Sequence, residues 1–405
     1  MTPATVLVLA VAIGVTAVSS YLVLRLARHY GLAPQLRERD VHRVPTPRLG
    51  GVAMFIGLLA AFGVAATQPE FRPLFNGDMK IWALIGACLL IAVIGVLDDV
   101  LDLDWMIKLG AQLLAAGVLA WNGVQIVSLP LGDTLVIGSP IVNFVLTVFL
   151  MTLVMNAVNF VDGLDGLVAG VAIIASATFY VYTLVLTSQM GHVVSVTFSS
   201  LIALVLVGIC LGFLPFNWHR AKMFMGDTGA LLVGLLMATS TVSVTGEVNP
   251  AALDIQLVLA SYIPIILPVA VLALPLADFS LAVLRRVRAG KSPFEADRRH
   301  LHHRLLDMGH SPIQAVLFFY LGTAVLSVAG LLVFIMRDFT IPLLVLTVGG
   351  VVALCVLFFP VSRIRAAWAQ KSLVPLKPFR NPQRVSAVEL DPHPTVALPN
   401  REDSE

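Results

Sequence analysis

The sequence predicts an all-α fold, that of a polytopic helical membrane protein with about eleven transmembrane helices. Of its 405 residues, 58% are hydrophobic and only 12% are charged, whereas an ordinary soluble domain carries about 25% charge. Apolar runs of about 20 residues, the length that a helix needs to cross a bilayer, recur along the chain. These runs do not alternate in polarity, which excludes a transmembrane barrel.

The apolar runs define the expected helices. They fall near residues 4–25, 50–68, 80–97, 109–127, 140–158, 166–187, 193–214, 229–246, 256–284, 315–336 and 340–361. The first run has no basic segment before it and no small-residue cleavage site after it, so we expect a retained helix and not a signal peptide.

The basic residues predict the orientation in the membrane. With eleven spans, one set of loops together with the C-terminal tail holds 23 of the 26 Lys and Arg residues, and the opposite set holds three. The positive-inside rule then puts the N-terminus outside and the C-terminus in the cytoplasm. We expect a membrane domain at 1–362 and a flexible cytoplasmic tail at 363–405, where prolines and scattered charges replace apolar runs.

A group of acidic residues lies at the inner end of the third span and in the loop that follows it. Asp98 and Asp99 end the apolar run, Asp102 would share a face with Asp98 if the helix continues, and Asp104 and Lys108 precede the fourth span. So many carboxylates in a short segment require cations. Solvated acids at a helix end are the alternative.

Amides and acids recur at three-residue intervals at the inner end of the fifth span. Asn156, Asn159, Asp162 and Asp165 lie in NAVNFVDGLDGL, a spacing that aligns them along one side of a helix or tight turn. The glycines between them allow a ligand to approach the backbone. A helix terminus rich in Asn and Asp is the alternative.

Asp227 lies in KMFMGDTGALL, directly before the eighth span. Capping of that helix by Asp227 or Thr228 would explain an isolated aspartate. The nearby Lys222 and Phe224 instead favour a metal-bound phosphate beside a stacked base.

Three histidines lie in the basic loop after the ninth span. His300, His302, His303 and Arg304 belong to RRVRAGKSPFEADRRHLHHRL, and imidazole together with guanidinium favours phosphate binding. A zinc site is an alternative, although no cysteine is near and the spacing is not that of a helical zinc pair. A loop whose charge only orients the protein is another.

Arg48 precedes two glycines at the inner start of the second span, in HRVPTPRLGG. A guanidinium beside the exposed amides of a helix N-terminus can hold an anion. An ordinary helix entry is the alternative.

All five groups lie on the same side of the membrane under the topology that the charges predict. Acids and amides suit a divalent cation, and basic and imidazole groups suit phosphates. The sequence therefore favours phosphoryl transfer at a lipid surface.

Five ordered motifs resemble those of the polyprenyl-phosphate N-acetylhexosamine-1-phosphate transferases, the MraY/WecA/TagO family. The motifs are PTPRLGG (45–51), LDDVLDLDWMIKLGAQ (97–112), NAVNFVDGLDGL (156–167), FMGDTGALLVG (224–234) and DRRHLHHRL (297–305). The form HLHH is similar to the WecA and TagO branch, whereas MraY has three successive histidines.

The resemblance implies a substrate pair, a cofactor and a location. The donor would be UDP-N-acetylglucosamine and the acceptor undecaprenyl or decaprenyl phosphate, with Mg²⁺ as cofactor and Mn²⁺ as a substitute. UDP-MurNAc-pentapeptide or another UDP-HexNAc is the alternative donor. The site would face the cytoplasm at the bacterial inner membrane, and the reaction would begin a cell-envelope polysaccharide pathway. Membrane lipids would be partners, a homodimer is one option, and no nucleic acid would be bound.

The resemblance also implies roles for individual residues. Asp227 would be the principal magnesium ligand, assisted by Asn159 or by a residue of the first Asp pair, Asp98 and Asp99. The catalytic groups would be Asp98, Asp99, Lys108, Asp165, His302 and His303. The substrate-binding groups would be Arg48, Asn156, Asp162, Phe224, His300 and Arg304, with Asp162 and Phe224 holding the uracil.

The expected reaction is attack of the lipid phosphate on the β-phosphorus of the UDP-sugar, with UMP leaving. We favour a single displacement over a two-step route through an aspartyl-phosphate. A transporter is the alternative from another class, but its ionisable residues should lie near the bilayer midplane. Asp278, inside the ninth span, we expect to pair with Arg285 or Arg286.

Overall fold

The structure, a computed structural model, describes residues 1–32, 46–77, 79–126, 128–131, 134–189, 197–247, 308–336 and 339–358, and the single positions 280, 284, 287, 288 and 290. The described residues belong to one compact unit, Met1–Ser362. The tail at 363–405 lies outside them, so its flexibility stays a prediction.

Helices dominate the described part of the chain. In order, the elements are α1 (Pro3–His29), α2 (Gly50–Thr67), α3 (Arg72–Asn76), α4 (Lys80–Leu101), α5 (Trp105–Trp121), β1 (Ser128–Leu131), β2 (Thr134–Ile137), α6 (Pro140–Val161), α7 (Leu167–Gln189), α8 (Phe198–Asn217), α9 (Gly226–Glu247), α10 (Pro312–Met336) and α11 (Thr340–Phe358). Within these ranges, nine helices are long and apolar enough to cross a membrane, and α5 is a shorter apolar helix. The chain is a multi-pass helical membrane protein, as the sequence predicts.

The predicted spans correspond to these helices, with one exception. The run at 256–284 lies outside the described residues apart from two single positions, so the total of eleven spans stays a prediction, as does the orientation of the termini. Helix α5 begins four residues before its predicted run because Asp104 caps it, with Oδ1 accepting the Met106 N–H at 2.8 Å.

Helix α9 is the centre of the bundle. It packs against α2, α4, α6 and α8, and 94% of its most apolar window is buried. Small residues permit this: a Cβ on Gly234 would lie 2.7 Å from the Cα of Met155 in α6. Its hydroxyls bond to carbonyls of the preceding turn, as Thr239 does to Leu235 at 2.7 Å. Helix α11, by contrast, is 6% buried over its window and lies at the periphery.

A two-stranded antiparallel hairpin interrupts the otherwise helical chain between α5 and α6. Its register pairs Ser128 with Ile137 and Leu131 with Thr134. The all-α prediction did not include it, although the Gly-Asp dipeptide between the strands is a known hairpin signal. At the base of the hairpin, the Thr147 hydroxyl of α6 accepts the Ile126 N–H at 2.9 Å.

Helix α4 ends sooner than the alignment of Asp102 with Asp98 would require. The helix stops at Leu101, and Asp102 adopts a left-handed conformation with φ 55°. Its N–H still bonds to the Asp98 carbonyl at 2.9 Å. The condition under which Asp102 would share a face with Asp98, a helix that continues past Leu101, is therefore not met, and Asp102 is exposed.

Candidate active site

The first contact of the site joins α4, α5 and α9 through Lys108. Its Nζ lies 3.0 Å from Asp98 Oδ2 and 3.3 Å from Asp227 Oδ2. The Asp98 side chain is 7% exposed and that of Asp227 is 28% exposed. The buried carboxylate thus has a cationic partner, while the more exposed Asp227 retains a surface that a ligand can reach.

Asp99 binds the N-terminus of α9. Its Oδ1 accepts the Asp227 N–H at 3.0 Å, and its Oδ2 accepts the Thr228 N–H at 3.3 Å and the Thr228 hydroxyl at 2.9 Å. The first amides of a helix have no partner within the helix. Asp99 therefore caps this helix, for which the sequence had offered Asp227 or Thr228 as an alternative.

Gly226 permits this close approach of α4 to α9. Its φ is +71°, and a Cβ there would lie 2.6 Å from Asp99 Oδ2. On α4, a Cβ on Gly95 would lie 2.7 Å from the Thr228 nitrogen. Both the backbone conformation and the available space therefore require glycine at position 226.

The segment before α2 runs alongside the segment before α9. The Phe224 N–H donates to Pro47 at 2.8 Å, and the Gly50 and Gly51 amides donate to Phe224 and Met225 at 3.0 and 2.9 Å. Arg48 is thereby held next to Phe224. The expected anion site on exposed amides is wrong for Gly50 and Gly51, because both amides are already used within the protein.

Asp162 ends α6 and belongs to the same electrostatic cluster. Its pKa is raised from 3.8 to about 7, chiefly by removal from water and also by the negative charges of Asp227 and Asp99, while the positive charge of Arg48 acts in the opposite direction. Asp162, Arg48 and the Asp227 region therefore lie within interaction range of each other.

Asp165 binds the loop between α8 and α9 in this structure. Its side chain is 4% exposed, and its Oδ2 lies 3.1 Å from His219 Nδ1 and accepts the Ala221 N–H at 3.1 Å. Asn217 completes the connection, because its Oδ1 accepts the Gly166 N–H at 2.9 Å and its Nδ2 donates to Met223 at 3.1 Å. The turn after α6 and the loop that carries Phe224 are thus tied together.

Asn156 and Asn159 of α6 differ in their hydrogen bonds. The Asn156 amide donates to Gln112 Oε1 of α5 at 2.5 Å and to the Thr152 carbonyl at 2.8 Å, which leaves its oxygen as the acceptor that could face a substrate. The Asn159 side chain is half-buried and forms no hydrogen bond with the acids of the described chain.

The chain is similar to several named enzymes over most of its length. The family model described as Glycosyl transferase family 4 matches residues 81–245. The chain is 39% identical over 341 residues to the decaprenyl-phosphate N-acetylglucosaminephosphotransferase of Mycolicibacterium smegmatis, with 84% of each protein covered. It is 40% identical to the enzyme of the same name from Mycobacterium tuberculosis, over 75% of this chain and 76% of that one.

A more distant relative extends the likeness. The undecaprenyl-phosphate alpha-N-acetylglucosaminyl 1-phosphate transferase of Yersinia pestis is 30% identical, over 76% of this chain and 78% of its own. The chain belongs to glycosyl transferase family 4. The family and enzyme class that the sequence predicts are thereby confirmed, and the transporter alternative is set aside.

The matched region of glycosyl transferase family 4 contains most of the cluster. Residues 81–245 include Asp98, Asp99, Lys108, Asp162 and Asp227, while Arg48 joins from outside it. The predicted residues His300, His302, His303 and Arg304, and also Asp278 with Arg285 and Arg286, lie outside the described residues. Their roles, and the zinc alternative, stay predictions.

The side chains of this cluster fit Mg²⁺ in only one of the ways in which proteins bind this ion. Within the described ranges, no three His, Cys, Asp or Glu side chains form a metal-ligating group. Mg²⁺, however, often uses one or two carboxylates together with substrate phosphates and water. Asp227, partly exposed and in contact with the same Lys108 ammonium as Asp98, suits that mode.

Sequence reasoning missed several residues that shape this site. Gln112 orients Asn156, and Asn217 and His219 hold the loop before α9. From α10, the Tyr320 hydroxyl donates to the Gly166 carbonyl at 2.5 Å. Each contact joins positions more than 40 apart in sequence, so no local spacing could have indicated them.

Proposed function

We propose that the chain transfers N-acetylglucosamine-1-phosphate from UDP-N-acetylglucosamine to a polyprenyl phosphate, giving polyprenyl diphosphate-N-acetylglucosamine and UMP. The acceptor would be undecaprenyl or decaprenyl phosphate. The names of the mycobacterial and Yersinia relatives support the sugar and the lipid. The observation that carries the proposal is the convergence of Lys108, Asp98 and Asp227 from three helices.

Magnesium is the proposed cofactor, with Mn²⁺ as a substitute. Asp227 would be its main ligand, with Asp98 or Asn159 assisting. When bound, the ion would supply positive charge to the diphosphate of the donor.

Lys108 would contribute a second positive charge from the protein itself. An ammonium has three donors, and two of them point to Asp98 and Asp227. The third can hold a phosphate oxygen. This matters because two phosphate charges 4 Å apart repel by about 4 kcal/mol at an effective dielectric near 20.

Asp162 and Phe224 would hold the uracil of the donor. A carboxylate can accept the N3–H of the base, and an aromatic ring can stack on it. The ties between the turn at 162–166 and the loop at 217–225 support this pairing, because they keep the two groups in register. Arg48, held next to Phe224, would contact the donor phosphates.

The reaction would be a single displacement. An oxygen of the lipid phosphate forms a bond to the β-phosphorus, and the bond from that phosphorus to the bridging oxygen breaks, so that UMP leaves with the electron pair. Inversion at a chiral β-phosphorus is the expected result. Retention would instead indicate the aspartyl-phosphate route.

The membrane setting is also proposed. We place the site at the cytoplasmic face of the bacterial inner membrane because the basic loops predict that orientation. The product would begin a cell-envelope polysaccharide pathway, and contacts with membrane lipids and a homodimer remain parts of the proposal.

Donor competition tests the assignment directly. The purified full chain in detergent is mixed with Mg²⁺, decaprenyl phosphate and equal amounts of UDP-N-acetylglucosamine and UDP-MurNAc-pentapeptide. The mass of the lipid product is then measured by mass spectrometry. We expect UMP release and a product that carries N-acetylglucosamine. A product that carries the pentapeptide would reassign the donor, and the absence of UMP would remove the proposed activity.

A further inference from the structure

Helix α9 lacks a capping residue of its own. The positions directly before it are Phe224, whose side chain has no acceptor, and Met225, whose thioether is only a weak one. The carboxylate of Asp99 takes this place from α4, 128 positions away in sequence. The cap of the helix that carries Asp227 is therefore supplied by tertiary structure.

The Asp99 carboxylate is largely committed to this contact. Two carboxylate oxygens offer about four acceptor sites, and three are used by the Asp227 amide, the Thr228 amide and the Thr228 hydroxyl. Thr228 is 0% exposed. The bonds to Thr228 are consequently shielded from any substrate.

The chemistry of the acceptor leaves little for a base to do. A phosphate monoester has a second pKa near 6 and is mostly a dianion at neutral pH. The acceptor oxygen is therefore ready to attack without giving up a proton. The cap, in contrast, sets the first turn of α9 and hence the position of the Asp227 side chain.

We propose that Asp99 is a positioning residue that fixes Asp227 for binding the divalent cation, and that it does not act as the base. This inference rests on the proposed function, because it takes Asp227 as the metal ligand. It extends that function by assigning to Asp99 and Thr228 together a role in cation affinity.

Binding of Mn²⁺ alone provides a readout that does not depend on turnover. The full chain in detergent is titrated with Mn²⁺ and the free ion is followed by electron paramagnetic resonance. For Asp99→Asn, which loses a charged acceptor, we expect about tenfold weaker binding. For Thr228→Val, which keeps the carboxylate and loses one hydrogen bond, we expect about threefold weaker binding. Thr228→Ser restores the hydroxyl and should bind within about twofold of wild type.

The two proposals fail in different ways. If Asp227→Asn binds Mn²⁺ as wild type does, Asp227 is not the ligand, and both its proposed metal role and the positioning role of Asp99 are overturned, while UMP release tests the transfer reaction separately. If Asp227→Asn loses binding while Asp99→Asn and Thr228→Val keep it, only the positioning role is overturned. Should Asp99→Asn not fold, the pair Thr228→Val and Thr228→Ser decides, since equal affinity in those two variants contradicts the inference.

Turnover gives a second distinction. If Asp99 acts through Asp227, raising Mg²⁺ should restore part of the turnover that Asp99→Asn loses, because a weaker site can be filled by mass action. If Asp99 were a general base, added Mg²⁺ would not restore the turnover that Asp99→Asn loses. Turnover that stays equally low at every Mg²⁺ concentration, with normal Mn²⁺ binding, would establish the base.

Discussion

At the scale of single residues, Asp227 combines exposure with a fixed position. Its Oδ2 lies 3.3 Å from Lys108 Nζ, and the side chain is 28% exposed. Asp98 is in contact with the same ammonium but is more deeply buried. Asp227 is therefore the acid of this pair that is better placed to meet a ligand.

Replacing the Asp227 carboxylate should abolish chemistry without abolishing the fold. We expect Asp227→Asn to lower turnover by roughly 100-fold or more, the usual effect of removing one preorganised electrostatic group, and to elute from size exclusion as wild type does. Glu70→Gln is the matched control, because Glu70 follows α2 at the end opposite to Arg48. Near-normal UMP release by Asp227→Asn would show that Asp227 does not belong to the active site.

Asp162 makes stability depend on pH. Its folded pKa of about 7 exceeds the ordinary 3.8, so between these values the folded protein holds a proton that the unfolded chain has released. Stability from this group is therefore lost as the pH rises from about 4 to about 7 and is constant above that range.

Asp162→Asn should remove this dependence. Without nucleotide or metal, we expect the Tm of Asp162→Asn minus that of wild type to increase from pH 4.5 to pH 7 and then to level off. Thermal unfolding in detergent at several pH values measures it. A difference that does not vary with pH would show that Asp162 has an ordinary pKa in the folded protein.

At the scale of elements, the contact between α4 and α9 depends on glycines. Gly226 has φ +71°, and a Cβ there would meet Asp99. In α9 itself, Gly234 allows the approach of α6. The contact at Gly226 brings the Asp99 carboxylate to within hydrogen-bonding distance of the first amides of α9.

Gly226→Ala should therefore damage both stability and activity. A left-handed conformation costs an L-residue about 1–2 kcal/mol, and displacement of Asp99 should add to this, so we expect a lower Tm and a large loss of turnover. Gly63→Ala in α2 is the control, since nothing lies within 4 Å of its Cβ position. An equal effect of the two variants would contradict the role of Gly226.

At the scale of the whole molecule, the site residues mark one end of the bundle. Lys222 is exposed in the loop between α8 and α9 at that end, while Glu70 is exposed beyond the far end of α2. If the proposed orientation is correct, the two positions lie on opposite sides of the membrane.

Labelling of single cysteines tests this orientation. In a Cys355→Ser background, which removes the exposed native thiol, we expect an impermeant maleimide on intact cells to label Glu70→Cys but not Lys222→Cys. After the membrane is opened, both should react. Labelling of Lys222→Cys on intact cells would place the site outside the cytoplasm and overturn the proposed location.

The sequence itself predicted more of the architecture than of the site. Hydrophobic run length located ten of the helices, because crossing a bilayer imposes a length that is visible in any single segment. The hairpin at 128–137 was not predicted, since short strands give a weak local signal. The exposed amides expected at Gly50 and Gly51 were wrong, because the distant backbone carbonyls of Phe224 and Met225 accept their hydrogen bonds.

What the sequence alone determined is the membrane class, the family and which residue types carry the chemistry, because composition, run length and ordered motifs are local properties of the chain. Tertiary structure decided which contacts each of those residues makes. Lys108 serves two acids, Asp99 caps a helix far along the chain, and Asp165 holds a loop. Hydrogen bonds act over about 3 Å of space whatever the separation in sequence, so only the folded bundle could reveal these partners.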